Sequence, residues 1–184
     1  MASAIGGRLI ILALAGIFLS TPLSTVDSFP NGVGEIGNDG CLCHGASNSE
    51  TKISISGLPE KFESATNYSL QLTISNEEIA RNNQSAQGGF RIIVNIGVLY
   101  FNNSEGIIID DGWTHQESSN QQRIWNFSWL SPDDNTTMAR LLVYGNAVNG
   151  NQQQTGDNWN DLEVYIPGVQ NFDPIPTETM TEHE

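Results

Sequence analysis

The chain has 184 residues, with 7 Lys and Arg against 21 Asp and Glu, for a formal net charge of −14. That length suits one domain with appendages, and that charge excludes nucleic acid and anionic lipid as partners, because both repel a polyanion. Two cysteines exclude a disulfide framework and leave at most one bridge.

Residues 1–26 read as a signal peptide. Arg8 supplies the positive start, residues 9–19 are an apolar run, and residues 20–24 are small and polar. The run is shorter than the roughly 20 residues of a membrane-spanning helix. The alternative is an uncleaved anchor, the one membrane attachment this reading provides for. The chain beyond residue 26 is expected to be secreted or displayed at the cell surface.

Residues 27–50 are a Gly-, Asn- and Pro-rich lead. It contains Gly40-Cys41-Leu42-Cys43-His44-Gly45, which holds both cysteines and one of the three histidines. Three chemistries suit this cluster. Cys-x-Cys-His is one residue short of the Cys-x-x-Cys-His of c-type heme attachment; in that reading His44 is the proximal ligand and His115 a distal one. A copper or zinc ion could instead take the thiolates of Cys41 and Cys43 with the imidazoles of His44 and His115. The third is a local Cys41–Cys43 disulfide with no cofactor, since exported cysteines oxidise, although so small a ring is strained.

Residues 51–168 carry the strand signals. Apolar and polar residues alternate over 51–57 and over 68–75, the mark of strands with one buried face. Residues 89–101 form the most β-prone run and predict one central strand; residues 106–110 predict a short strand or covered edge. Over 123–129, Trp125, Phe127 and Trp129 alternate and should enter one core. Residues 139–146 and 162–166 complete the set. Segments 77–87 and 149–157 read as loops, as do the surroundings of Trp113 and Trp159. About seven strands between turn signals, with no amphipathic helix, predict an all-β fold: an antiparallel Ig-like β-sandwich of about seven to nine strands. Residues 169–184 are Pro-, Thr- and Glu-rich and are expected to be a disordered acidic tail, in which His183 has no role.

His115 also reads as a hydrogen-bonded turn residue. Asp110, Asp111, Asp133, Asp134 and Asp157 could offer oxygen ligands to calcium, but no EF-hand spacing is present, and solvated acidic turns are the preferred reading. Asn67, Asn83, Asn102, Asn126 and Asn135 each begin an Asn-x-Ser/Thr glycosylation sequence. No enzyme class is assigned: there is no Gly-x-Ser-x-Gly, phosphate-binding Gly loop or His-Glu-x-x-His. A Cys43–His115 hydrolase is conceivable, but neighbouring cysteines in an oxidising compartment disfavour a free nucleophile.

The order of several short motifs is distinctive. After Cys41, Cys43, His44 and Gly45 come Gly57-Leu58-Pro59, then Tyr68, Leu70 and Leu72, then Gly89-Phe90 and Thr114-His115. Trp125, Phe127, Trp129 and Pro132 come next, then residues 145–150 as Gly-Asn-Ala-Val-Asn-Gly, then Gly156-Asp157. In this order the chain resembles the Reeler-type, or choice-of-anchor, β-sandwich domains of bacterial and archaeal surface proteins, over about residues 30–166. The resemblance implies an exported, Reeler-like sandwich that binds an unnamed surface or extracellular partner or serves a structural role, with no established enzyme activity. Through the Cys-x-x-Cys-His of those domains it also implies heme c on Cys41, Cys43 and His44. Here one residue, Leu42, stands where the family has two.

Overall fold

The computed structural model describes residues 29–81 and 85–176. The signal peptide predicted over 1–26, the glycosylation sequence at Asn83 and His183 lie outside them.

Period-two alternation decides the architecture. Strands β1 (Lys52–Ser56), β2 (Asn67–Ser75), β7 (Ile124–Leu130) and β4 (Val98–Phe101) form one antiparallel sheet in the order β1-β2-β7-β4. Strands β5 (Ile107–Ile109), β6 (Gly112–Thr114), β3 (Gly88–Val94), β8 (Met138–Ala147) and β9 (Asn158–Pro167) form the second, in the order β5-β6-β3-β8-β9. No α-helix occurs among the described residues, only three short 3-10 turns. The result is the predicted all-β sandwich.

The core lies between the sheets. From the first come Leu70, Leu72, Ile74, Leu99, Phe101, Trp125, Phe127 and Trp129; from the second come Phe90, Ile92, Ala139, Leu141, Val143 and Ile166, all buried. Register brings Leu70 opposite Phe127 and Leu72 opposite Trp125, so each buried pair shares one face of the sheet. Aromatic rings bridge the layers. Phe90 lies 5.1 Å from Phe101 and 5.0 Å from Trp125, and Phe101 stacks on Phe127 at 4.7 Å, within the range where aromatic pairs add to simple burial. The buried Trp125 indole donates to the Ser119 carbonyl at 3.0 Å and the Trp129 indole to Ile96 at 3.2 Å, so neither leaves an unpaired N–H.

The single strand expected over 89–101 is two. The chain leaves the five-stranded sheet after Val94, turns through residues 95–97, and enters the four-stranded sheet at Val98. Gly97 makes the crossing with φ +77°, where a Cβ would stand 2.4 Å from the Trp129 indole nitrogen; only glycine fits there. Two segments expected as loops are strands. Trp113 sits on β6 and Trp159 on β9, which starts at Asn158 rather than near residue 162. The ordered chain also runs past residue 168. Val169 N–H donates to Phe62, Gln170 to Asn135, and the Asn171 side chain to Thr136. These bonds anchor the first part of the expected tail; residues 177–184 lie outside the described chain.

Truncating Trp125, which is fully buried between the sheets, should remove about 3–5 kcal/mol of stability. Chemical denaturation of Trp125→Ala checks this, and a loss under about 1 kcal/mol would contradict a shared aromatic core.

Candidate functional site

The lead is a strap lying across the outer face of the five-stranded sheet. Strand alternation turns Arg91, Thr114, Tyr144 and Trp159 away from the core, on the face opposite Phe90 and Ile92. A guanidinium there must be exposed or covered by acceptors. Arg91 is covered: it is 1% exposed, its Nε donates to the Asn38 side chain at 3.0 Å and its Nη1 to the Val33 carbonyl at 3.3 Å and the Ile109 carbonyl at 2.6 Å, while its Nη2 is buried without a hydrogen-bond partner. Burial pulls its pKa below the ordinary value, opposed by the nearby carboxylates of Asp110, Glu35 and Asp111. Further bonds hold the strap down. Val33 N–H donates to the Thr114 hydroxyl at 3.1 Å, Glu35 N–H to the Asp110 carboxylate at 2.8 Å, and the Tyr144 hydroxyl to the Asn38 carbonyl.

The strap ends in the Cys-x-Cys-His loop, seated on Trp159. Gly40, at φ +106°, passes so close that a Cβ would stand 2.2 Å from the Trp159 ring. The Trp159 indole donates to the Gly45 carbonyl at 2.8 Å, and Asn48 N–H donates to the Trp159 carbonyl at 2.7 Å. Leu42–His44 is a 3-10 turn, closed by His44 N–H on the Cys41 carbonyl at 2.8 Å. The two cysteines are free thiols in different surroundings. Cys43 is exposed, whereas Cys41 is half-buried; burial first, and the neighbouring Cys43 second, push its pKa up to about 12.

His44 meets a partner that its own stretch of sequence does not contain. Its Nδ1 is buried and lies 3.1 Å from Oδ2 of Asp157, at ion-pair distance though outside hydrogen-bond alignment. The Asp157 side chain is 1% exposed, and its Oδ1 accepts Asn149 N–H at 2.9 Å. A carboxylate facing Nδ1 favours the tautomer protonated there and leaves Nε2 as the basic nitrogen, the arrangement of a metal-ligating histidine. Asp157 is therefore a buried partner of His44 rather than the solvated acidic turn expected from its surroundings. Its place in the ordered Gly-Asp motif is the available signal, but nothing in one sequence joins it to His44.

His115 is not gathered with this loop. It follows β6, its ring rests on Gly89, and its Nδ1 lies 3.1 Å from the Phe90 nitrogen. Burial lowers its pKa, opposed by hydrogen bonds to the Phe90 and Phe29 backbone. It therefore works as a hydrogen-bonded structural residue beneath the start of the strap. Among the described residues no three His, Cys, Asp or Glu side chains converge closely enough to hold a metal ion. Trp113 does not wall the loop either. Its ring packs on Phe101 at 5.1 Å and its indole donates to Leu99 at 3.1 Å. The aromatic surface under the loop is Trp159. The loop itself presents one imidazole, beside the Asp157 carboxylate, and two free thiols separated by the single residue Leu42.

No protein-family model matches the chain, and no curated protein matches it. Among solved structures, the reeler domain of human F-spondin is similar over 68% of this chain and 96% of that one, at 14% identity and a TM-score of 0.44. A conjugative transposon lipoprotein from Bacteroides eggerthii is similar over 65% and 98%, at 11% identity and a TM-score of 0.40. The solution structure of a conjugate transposon protein from Bacteroides vulgatus is similar over 72% and 95%, at 9% identity and a TM-score of 0.43. Similarity at this level assigns neither membership nor function.

This geometry fixes three expected outcomes. Replacing Arg91 by Ala should strip hydrogen-exchange protection from the strap around Val33 and Asn38 while β2 and β7 keep theirs; unchanged protection would mean that the guanidinium does not hold the lead. Iodoacetamide should alkylate exposed Cys43 well before Cys41, because a thiol raised to about 12 is protonated at neutral pH; peptide mass mapping over time reads the order. His115 has a folded pKa below its ordinary 6.5, so the unfolded chain binds the proton first. Stability should therefore fall as pH drops from about 7 to about 5. His115→Gln should flatten that part of the curve, and an equally steep variant would contradict the assignment.

Proposed function

We propose that this chain is an exported, cell-surface, Reeler-like binding or structural module whose strap loop carries heme c and so takes part in electron transfer. The observation that supports the cofactor most is the buried Asp157 carboxylate facing Nδ1 of His44 at 3.1 Å, which favours a proton on Nδ1 and a lone pair on Nε2. Cys41 and Cys43 would carry the thioethers. A thioether is neutral, which suits the half-buried position of Cys41 better than a thiolate. The bound heme would supply one-electron chemistry. The chain's own part is to fix the imidazole through Asp157, to seat the loop on Trp159, and to keep the centre at the surface, where a partner can approach. Export is supported by the apolar N-terminal run and by the motif order shared with surface proteins.

The test is an absorbance spectrum of the protein made in a secreting host with cytochrome maturation machinery. A Soret band that survives denaturation, and that is lost in the double variant Cys41→Ser with Cys43→Ser, is the expected result. Asp157→Asn should keep the covalent heme and raise its reduction potential, because a neutral amide in place of the carboxylate makes His44 a weaker donor to the oxidised iron. A protein with no Soret band, whether it holds zinc or copper or has Cys41 joined to Cys43, would overturn the heme and leave a structural or metal-bearing surface module.

A further inference from the structure

The two outer faces of the sandwich differ. The strap covers that of the five-stranded sheet, while that of the four-stranded sheet is open. Register sets side by side on this open face Ser56, Gln71 and Asn126 in one row, and Ser69, Ser128 and Tyr100 in the next. Between them lies a shallow depression of about 420 Å³, lined also by Asn102. No Asp, Glu, Lys or Arg lines it, although the chain carries 28 such residues, 7 basic and 21 acidic.

From this face we infer a binding site for a neutral glycan. Three observations select that ligand class. An uncharged lining on a chain of charge −14 offers no counter-charge to an anionic ligand, while the surrounding acidic surface repels one. Beside the apolar Leu70 and Phe127, the lining carries the amides of Gln71, Asn102 and Asn126 and the hydroxyls of three serines, groups that donate and accept at once and so match the hydroxyls and C–H faces of a sugar. Gln71 Nε2 donates to Asn126 Oδ1 at 2.9 Å, which fixes the two amides relative to each other and leaves their remaining N–H and C=O groups for a ligand. Tyr100, half exposed at 50% beside them, offers a flat ring on which the C–H face of a pyranose can lie. The Glu105 carboxylate accepts the Asn126 N–H at 2.7 Å and does not line the depression. The inference is independent of the heme reading, because the strap and its loop lie on the other sheet.

Affinity electrophoresis of the whole protein through gels holding mannan, dextran, xylan or galactan tests it, with alginate as the acidic control. At least one neutral polysaccharide should retard the protein, and alginate should not. Tyr100→Ala should weaken the retardation about tenfold, and Gln71→Ala by a smaller factor. Both positions are solvent-facing, so circular dichroism and the melting temperature should be unchanged in each variant. Three results overturn the site: no retardation by any neutral polysaccharide, retardation by alginate alone, or retardation that both variants retain. A glycan found by mass spectrometry on Asn126 of the native protein would also overturn it, because the face would then be covered from within.

Discussion

The burial of Arg91 on the outer face of the five-stranded sheet is the constraint from which the arrangement of the site follows. A guanidinium cannot be 1% exposed without acceptors around it, and the sheet itself supplies one, the Ile109 carbonyl. The others come from Val33 and Asn38. The lead must therefore cross that face, and once it does, its far end reaches Trp159. Val33, Asn38 and Gly45 are thus tied by hydrogen bonds to β3, β6, β8 and β9 across long stretches of sequence. The strap is part of the folded domain.

This placement has a chemical consequence. A histidine in a free loop is a weak, mobile ligand, whereas a buried carboxylate facing one ring nitrogen favours the tautomer protonated there. His44 reaches Asp157 because Gly40 and Gly45 bring the loop down onto the ring of Trp159. Asp157 is held in turn by Asn149 N–H, so the loop of residues 149–157 orients the carboxylate that it carries. The buried Arg123 closes the same end of the sandwich by donating to the carbonyls of Gln87, Ile79 and Val148. The Asp157 carboxylate thus has one backbone donor from its own loop and the charge of Arg123 nearby.

Local features are legible in the sequence alone. Trp125, Phe127 and Trp129 alternate and are buried together, because period two is a property of the strand itself. The sheet change at Gly97 is marked in the sequence only by Asn95 and Gly97 within an otherwise β-prone run, and it is the close approach of Trp129 to the backbone that demands glycine there. Trp159 reads as a loop residue because Asn and Asp surround it; its strand is stabilised by pairing with β8, from Asn146 opposite Trp159 through Met138 opposite Pro167, and that pairing overrides local propensity. The cysteines and His44 are conspicuous by type. Asp157 is not, and His115, paired by expectation with the loop, belongs beneath the start of the strap. Such associations depend on which residues the sheets bring together, which spacing in one chain does not encode.

The most direct measurement of this account is the tautomeric state of His44 in the cofactor-free protein, read from long-range nitrogen–proton correlations of ¹⁵N-labelled histidine at about pH 8. Placement of the strap against Asp157 predicts a single set of signals with the proton on Nδ1 and an unprotonated Nε2, collapsing in Asp157→Asn. A His44 protonated on Nε2, or averaging freely between the two forms, would contradict it: the loop would then be an unanchored segment, and the case for a ligand site there would fall with it.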